Sequence, residues 1–237
     1  MIDTHLHLLW HIDDGPSTPM ESIDLARMLV AQGVEIAVCT PHYSPQFPTR
    51  HEVARERADE LRRYLQELDV PLDTQLAAEV HFTLALSVAS EELAERSIGG
   101  FLVVELERGA TAGVPLLVLE RLRACALTPI FAHPERSPGV LGDPAGLDEA
   151  RAGGALIQVL ASSLAGRRGK RVADAAWSLL DAGRADLLAS DAHGPGGTAS
   201  RLRRTLDAVT KRYGPPVLEA LVRVNPAQVV GAVAPTP

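Results

Sequence analysis

Residues 1–15 read MIDTHLHLLWHIDDG, an apolar segment that nevertheless carries three histidines and three aspartates. Burying such polar side chains costs free energy unless they are paired. The segment is therefore either a surface loop or a buried strand whose imidazoles and carboxylates bind a metal ion. In a strand, His5 and His7 would point to one side and Leu6 to the other, because side chains alternate between faces. The sequence SDAH at residues 190–193 repeats this spacing with Asp191 and His193.

Six further short apolar runs follow, separated by longer amphipathic stretches. Near-continuous apolar runs are typical of buried parallel strands. We predict strands at residues 1–9, 34–40, 74–80, 101–106, 128–133, 155–160 and 186–190. We predict helices at residues 19–32, 50–68, 84–96, 114–125, 144–152, 170–182, 199–213, 215–222 and 226–231. This alternation indicates an α/β fold, a barrel of seven β/α units in one domain over residues 1–237, with an open doubly wound sheet as the alternative.

Metal-ligating residue types follow most of the predicted strands. The carboxyl ends of barrel strands converge on one face, so these residues should become neighbours. The candidate ligands are His5, His7, Asp14, His42, Glu79, Glu105, His133, Asp191 and His193. Imidazole and carboxylate ligands without thiolate suit manganese, iron or zinc. Nine ligands are too many for one ion, so we predict two or three divalent ions, with Glu79 as the best bridging carboxylate.

Some of these positions have a more ordinary interpretation. Asp14, or Asp13 beside it, could cap the helix that follows. Glu107 lies two residues after Glu105 and would share its face of the strand. Three histidines stay outside the set. We expect His51 on the surface and His81 in side-chain packing, and His11 could, as a weaker alternative, line the mouth of a pocket.

The composition excludes several classes of protein. A net charge of −7 argues against nonspecific nucleic-acid binding, which needs a basic surface. The N-terminal residues lack a signal-peptide pattern, and no apolar run reaches membrane-spanning length. Cys39 and Cys125 form no CxxC pair, and neither lies in a loop of the form C-x5-R. We therefore predict that both thiols are reduced and do not act as nucleophiles, and that the protein is cytoplasmic.

The only dense basic run is GRRGKR at residues 166–171. Such runs are usually solvated, here at the start of a helix. The alternative is a docking patch for an acidic chain segment.

Several motifs together resemble the PHP (polymerase and histidinol phosphatase) family of metal-dependent phosphoesterases. They are DTHLH (3–7), TPH (40–42), AEV (78–80), AHPER (132–136) and SDAH (190–193). The chain is most similar to the capsule and exopolysaccharide type of bacterial protein-tyrosine phosphatase, which shares IDDGPST (12–18) and VNPAQVV (224–230). The resemblance extends from Met1 to about Pro226 and implies a distorted seven-stranded PHP barrel.

The resemblance also implies residue roles. One ion would be held by His5, His7, Glu79 and Asp191, a second by Glu79, Glu105 and His133, and a third by Asp14, His42 and His193, with manganese as the expected metal. Arg136 would bind phosphate, a role that suits a guanidinium. A second arginine is expected soon after SDAH, but Arg201 is displaced from that position. His42 or Asp191 could assist proton transfer.

The implied activity is hydrolysis of phosphotyrosine monoesters by a metal-activated water. The substrate would be a phosphotyrosine protein, such as an autophosphorylating bacterial tyrosine kinase in the control of capsule or exopolysaccharide synthesis. Two alternatives stay open: a small-molecule phosphatase with a substrate like histidinol phosphate, and a noncatalytic metal-binding module. An amidohydrolase is disfavoured because no lysine lies at a predicted strand end.

Overall fold

The computed structural model describes residues 1–106, 109–197 and 199–231. Within these ranges, nine strands pair in parallel to form two sheets, in the orders β1-β2-β4 and β3-β5-β6-β7-β8-β9. The strands are β1 Ile2–Leu6, β2 Ile36–Cys39, β3 His42–Tyr43, β4 Asp73–Leu76, β5 Glu79–His81, β6 Phe101–Glu105, β7 Thr128–Ala132, β8 Leu156–Leu160 and β9 Leu187–Ala189. The prediction of an α/β fold built on parallel strands is confirmed.

Helices connect most of the consecutive strands, as expected for parallel pairs. They are α1 Pro19–Ala31, α2 His51–Glu67, α3 Phe82–Ser87, α4 Ser90–Glu95, α5 Val114–Arg123, α6 Pro138–Leu141, α7 Ala145–Ala152, α8 Ala161–Leu164, α9 Lys170–Asp181, α10 Leu202–Tyr213, α11 Pro215–Glu219 and α12 Asn225–Val229. Short 3-10 turns span Pro134–Arg136 and Ala199–Arg201, and a π-helical turn spans Ala220–Val224. The Thr18 side chain caps α1, so neither Asp13 nor Asp14 has that role.

Nine strands are described instead of the predicted seven, because the predicted strand 74–80 is divided into β4 and β5 and an additional strand, β3, lies just beyond the predicted strand 34–40. Residues 40–41 separate β2 from β3, and residues 77–78 separate β4 from β5. Pro41 has no N–H to donate, so it removes one rung of the ladder. The pairing register is nevertheless the same on both sides of the break, where Cys39 pairs with Leu76 and His42 pairs with Glu79.

The first and last strands lie side by side at the end that carries the histidines. The Asp191 N–H donates to the His5 carbonyl at 2.9 Å, and the His7 N–H donates to the Ala192 carbonyl at 2.9 Å. Leu6, between the two histidines, is fully buried in the core cluster that includes residues of α1. The HLH and SDAH motifs, far apart in sequence, are thereby held next to each other.

The first strand and one helix also differ from prediction. The first strand ends at Leu6 instead of residue 9. The helix predicted at residues 84–96 is divided into α3 and α4, and the carbonyl of Val88 at the break accepts a hydrogen bond from the Arg121 side chain at 2.9 Å. Among the described residues, no helix is long and apolar enough to span a membrane.

Candidate metal centre

The Glu79 carboxylate lies at the centre of a cluster of histidines. Its Oε2 atom is 3.3 Å from His5 Nε2, 3.4 Å from His7 Nε2 and 3.0 Å from His42 Nδ1. Its Oε1 atom is 2.7 Å from His133 Nε2. Glu79 begins β5 and pairs with His42 in the sheet, which explains why these two side chains meet. One buried carboxylate therefore contacts four imidazoles.

Asp191 forms a second point of convergence. Its Oδ1 atom is 3.7 Å from His5 Nε2 and 3.6 Å from His7 Nε2. Its Oδ2 atom accepts a hydrogen bond from Arg136 Nη2 at 2.6 Å. Because His5 and His7 approach both Glu79 and Asp191 through Nε2, they face the same centre, as their spacing predicts.

The third part of the cluster is closer to solvent. The exposed Asp14 places Oδ1 3.4 Å from His42 Nε2 and 3.3 Å from His193 Nε2. The His193 ring stacks on the His7 ring with their centroids 3.9 Å apart. This outer group is therefore continuous with the buried one.

Four groups of side chains could each hold an ion, since within each group one ligand atom per residue lies within 4.8 Å of the others. The groups are His7, Asp14, His42 and His193; His5, Glu79 and His133; His5, His7 and Asp191; and His42, Glu79 and Glu105. All nine candidate ligands are thus brought together. The resemblance put Glu105 and His133 in one set, whereas here they fall in different groups. Glu107, the alternative to Glu105, lies outside the described residues.

Unpaired buried atoms indicate that this donor set fits divalent metal ions. His5 Nε2, His7 Nε2, His133 Nδ1 and Glu79 Oε2 are buried, and none makes a hydrogen bond with good geometry within the described residues. Leaving such atoms unpaired is costly. Coordination to a cation would satisfy them, and nitrogen and carboxylate donors suit manganese, iron or zinc.

Two residues that sequence reasoning missed orient the buried histidines. Asp13 Oδ2 accepts from His7 Nδ1 at 2.7 Å, and Gln158 Oε1 accepts from His5 Nδ1 at 2.7 Å. Both contacts hold the proton on Nδ1 and leave Nε2 free for a metal, as carboxylate and amide partners do around many metal sites. The available signals were the second aspartate of IDDG and a single polar residue in the apolar run ALIQVL at residues 155–160.

Backbone conformation contributes to the convergence. His133 and Asp191 follow β7 and β9 directly and have positive φ angles of 36° and 54°. For residues other than glycine this conformation costs roughly 1–2 kcal/mol. Backbone strain of this kind is concentrated at functional sites, and here it occurs at two of the clustered side chains.

The cluster shifts the pKa values of its members. Burial lowers the pKa of His7, but the hydrogen bond to Asp13 and the nearby Glu79 carboxylate outweigh this and raise the pKa to about 10. The pKa of His42 is raised to about 11 in the same way, by Asp14 and Glu79 acting against burial. Burial and the Arg136 charge lower the pKa of His133 to about 4. Burial raises the pKa of Asp191, but the Arg136 charge dominates with the nearby histidines, so it falls to about 2.

A cavity of about 570 Å³ opens from the cluster, and its arginines differ from the predicted pair. Arg167 and Arg168, from the basic run, line it together with His193. Arg136 donates a hydrogen bond to Asp191 beside the centre, and its role in binding phosphate stays a prediction. Arg201 is exposed at the end of a 3-10 turn and does not line the cavity.

The three remaining histidines lie outside these groups. His51 begins α2 and is half-buried, and His11 is exposed. The His81 ring contacts the Phe82 ring and its Nδ1 atom lies 2.7 Å from Thr83 Oγ1, which agrees with a packing role.

The chain is similar to several characterised bacterial proteins. It is 28% identical over 217 residues to the tyrosine-protein phosphatase YwqE of Bacillus subtilis, covering 90% of this chain and 85% of that protein. It is 24% identical to the tyrosine-protein phosphatase CpsB of Streptococcus pneumoniae, covering 97% of this chain and 98% of that protein.

Solved structures agree with these sequence similarities. A structure from work on YwqE and CpsB, described as unique metal-dependent tyrosine phosphatases, matches with a TM-score of 0.85 and 26% identity, over 99% of this chain and 96% of that one. The lactonase Lmo2620 of Listeria monocytogenes shares the fold, with a TM-score of 0.66 and 12% identity over 97% of this chain and 94% of that one. The family model for capsular polysaccharide synthesis, CpsB/CapC, matches residues 1–231. The chain therefore belongs to the CpsB/CapC family.

Proposed function

We propose that this protein is a metal-dependent protein-tyrosine phosphatase, an enzyme that hydrolyses phosphotyrosine monoesters. The observation that carries the proposal is the convergence of nine histidine and carboxylate side chains, four of which keep a buried nitrogen or oxygen atom without a hydrogen-bond partner among the described residues. The names of the family relatives support the same activity and a link to capsule or exopolysaccharide synthesis.

The four ligand groups would hold two or three divalent ions, with manganese as the expected metal and iron or zinc as alternatives. Bound divalent ions lower the pKa of coordinated water and offset the negative charge of phosphate oxygens. Glu79 would hold neighbouring ions together, because it belongs to two of the four groups. Asp13 and Gln158 would keep His7 and His5 in the tautomer that ligation requires.

Arg136 would bind the substrate phosphate. Its side chain is largely buried next to Asp191, and its Nε atom has no hydrogen-bond partner within the described residues. A fixed guanidinium with free N–H groups suits the oxygens of a phosphate and the charge that develops on them. The pKa of Asp191, lowered to about 2, keeps this group a carboxylate and makes it a poor proton donor and a weak base. His42 is then the better candidate for proton transfer to the leaving oxygen, provided that its ring does not bind an ion at that step.

We also infer that the two sheets form one distorted barrel of seven strand positions in a single domain. The unbroken register from β2–β4 into β3–β5 supports this inference, as do the hydrogen bonds between β1 and the residues after β9. An autophosphorylating bacterial tyrosine kinase is the proposed substrate, and a cytoplasmic location stays a prediction from the sequence.

Hydrolysis assays test the proposed activity. The chain, loaded with manganese, should hydrolyse a phosphotyrosine peptide far faster than a phosphoserine peptide or histidinol phosphate, and a chelator should abolish turnover. Glu79→Gln should lower turnover by at least about 100-fold, since it removes a charge shared by several ligand groups. Glu95→Gln, an exposed change of the same type on α4, is the control.

Two results would favour the alternatives. Faster turnover of histidinol phosphate would indicate a small-molecule phosphatase. Tight metal binding without turnover of any phosphoester would indicate a noncatalytic module.

A further inference from the structure

Two arginines lie on the rim of the cavity that opens from the metal centre. Arg167 and Arg168 line the same 570 Å³ cavity as Asp14, Asp191 and His193. They come from the turn between α8 and α9, part of the basic run GRRGKR. Part of this run therefore lies beside the candidate active site. Solvation of a helix start does not explain this position.

The turn is tied to the centre through one serine. The Arg167 N–H donates to the Ser162 carbonyl at 3.1 Å, and Ser162 Oγ accepts from Arg136 Nη2 at 3.3 Å. Gly166 and Gly169, with φ angles of 74° and 92°, allow the chain to reverse direction at this point. The two arginines are therefore presented by a defined turn next to Arg136.

Both guanidinium groups are available to a ligand. Arg167 and Arg168 are exposed, and within residues 1–106, 109–197 and 199–231 neither side chain forms an ion pair. Lys170, in the same run, is instead paired with Asp174 at 2.6 Å. Arg167 Nη2 lies 3.5 Å from the point where a Cβ on Gly197 would be, so the guanidinium lies beside the glycine-rich loop on the opposite side of the cavity.

We propose that Arg167 and Arg168 recognise acidic side chains next to the phosphotyrosine of the substrate, an inference that rests on the proposed phosphatase activity. Arg136, held against Asp191, is placed for the phosphate itself, whereas the two rim arginines lie on the turn beyond Ser162. The cavity has the volume of a ligand pocket rather than that of a single phosphate group. Because the chain carries a net charge of −7, an acidic peptide needs a local basic site to approach.

A pair of matched peptides tests this recognition. The peptides carry the same phosphotyrosine flanked either by glutamates or by glutamines. For the wild-type chain, we expect kcat/KM to be about five- to tenfold higher for the glutamate peptide, the effect of two exposed ion pairs, and to lose this preference at high salt. In Arg167→Gln/Arg168→Gln the preference should fall to near one. Arg171→Gln, from the same run but outside the cavity lining, should keep it.

A second measurement separates recognition from turnover. The same two peptides, with a non-hydrolysable phosphonate in place of phosphate, are titrated into each protein and binding is followed by fluorescence anisotropy. If the wild-type chain hydrolyses neither peptide, the proposed activity fails, but the glutamate preference in binding should still depend on the two arginines. Equal binding of both peptides, a preference that survives the double substitution, or an equal loss in Arg171→Gln would overturn the inference.

Discussion

Asp13→Asn tests whether a residue that binds no metal controls the affinity of the centre. Asp13 accepts three hydrogen bonds, from His7 Nδ1 at 2.7 Å, the His42 N–H at 3.0 Å and the Gly15 N–H at 3.0 Å. Asparagine has one acceptor oxygen, so it can serve only one side of this arrangement. Its NH2 group would face the Gly15 N–H in one orientation and the N–H groups of His7 and His42 in the other, and in both orientations the negative charge beside His7 is lost.

The expected loss follows from these contacts. The hydrogen bond to His7 involves a charged partner, and such bonds contribute about 1.5–3 kcal/mol. Without it, the His7 ring is free to rotate, and loss of comparable partners in metal sites lowers affinity about 10- to 100-fold. We expect a weakening of metal binding in that range.

Competition with a fluorescent chelator measures the metal affinity, and circular dichroism checks that the variant is folded. Asp24→Asn is the matched control, because Asp24 is an exposed aspartate that lies 3.5 Å from Arg27 on α1. Unchanged metal affinity in a folded Asp13→Asn protein would refute the positioning role. An equal loss in Asp24→Asn would attribute the effect to net charge.

Three further predictions concern the rest of the molecule. Burial raises the pKa of the Cys39 thiol to about 12, so iodoacetamide should alkylate Cys125 and spare Cys39 in the folded protein. Mass spectrometry measures the labelling, and rapid labelling of Cys39 would contradict its burial. Gly146→Ala, within α7, should destabilise the protein by about 1–3 kcal/mol in urea unfolding, because a Cβ would overlap the Ala112 carbonyl oxygen. A gain in stability, as expected at a solvent-exposed helix position, would argue against this packing. Burial lowers the pKa of His7 but its carboxylate partners raise it to about 10, so protons compete with metal below that pH. Metal affinity should therefore rise with pH and binding should release protons in calorimetry, and affinity that does not change with pH would contradict this.

The sequence predicted the fold class, the family and the clustered residues because each leaves a local signal. The HLH and SDAH motifs show their spacing directly, and the apolar runs mark the strands that carry them. The family prediction is confirmed, since the CpsB/CapC family model matches residues 1–231. The nine candidate ligands lie in overlapping groups, while their roles as ligands stay predictions.

Other features depend on contacts that no local pattern shows. Gln158 reads as one polar residue in an apolar run, and only the fold places it 2.7 Å from His5. The break at Pro41 could have been anticipated from its missing N–H, but the matching break between Leu76 and Glu79 depends on pairing across the sheet. Arg167 and Arg168 reach the cavity because a turn brings them there, whereas Arg201, closer in sequence to SDAH, does not line it.

Metal binding by the clustered histidines and carboxylates is tested by the metal content of the purified protein. Inductively coupled plasma mass spectrometry measures this content in the wild type, in Glu79→Gln and in the Glu95→Gln control. We expect at least two divalent ions per wild-type chain, the same content in the control, and loss of most of them in Glu79→Gln, because the Glu79 carboxylate contacts four imidazoles in the wild type. A chain that holds far less than one ion even after incubation with manganese, or a Glu79→Gln variant that keeps its full complement, would contradict it.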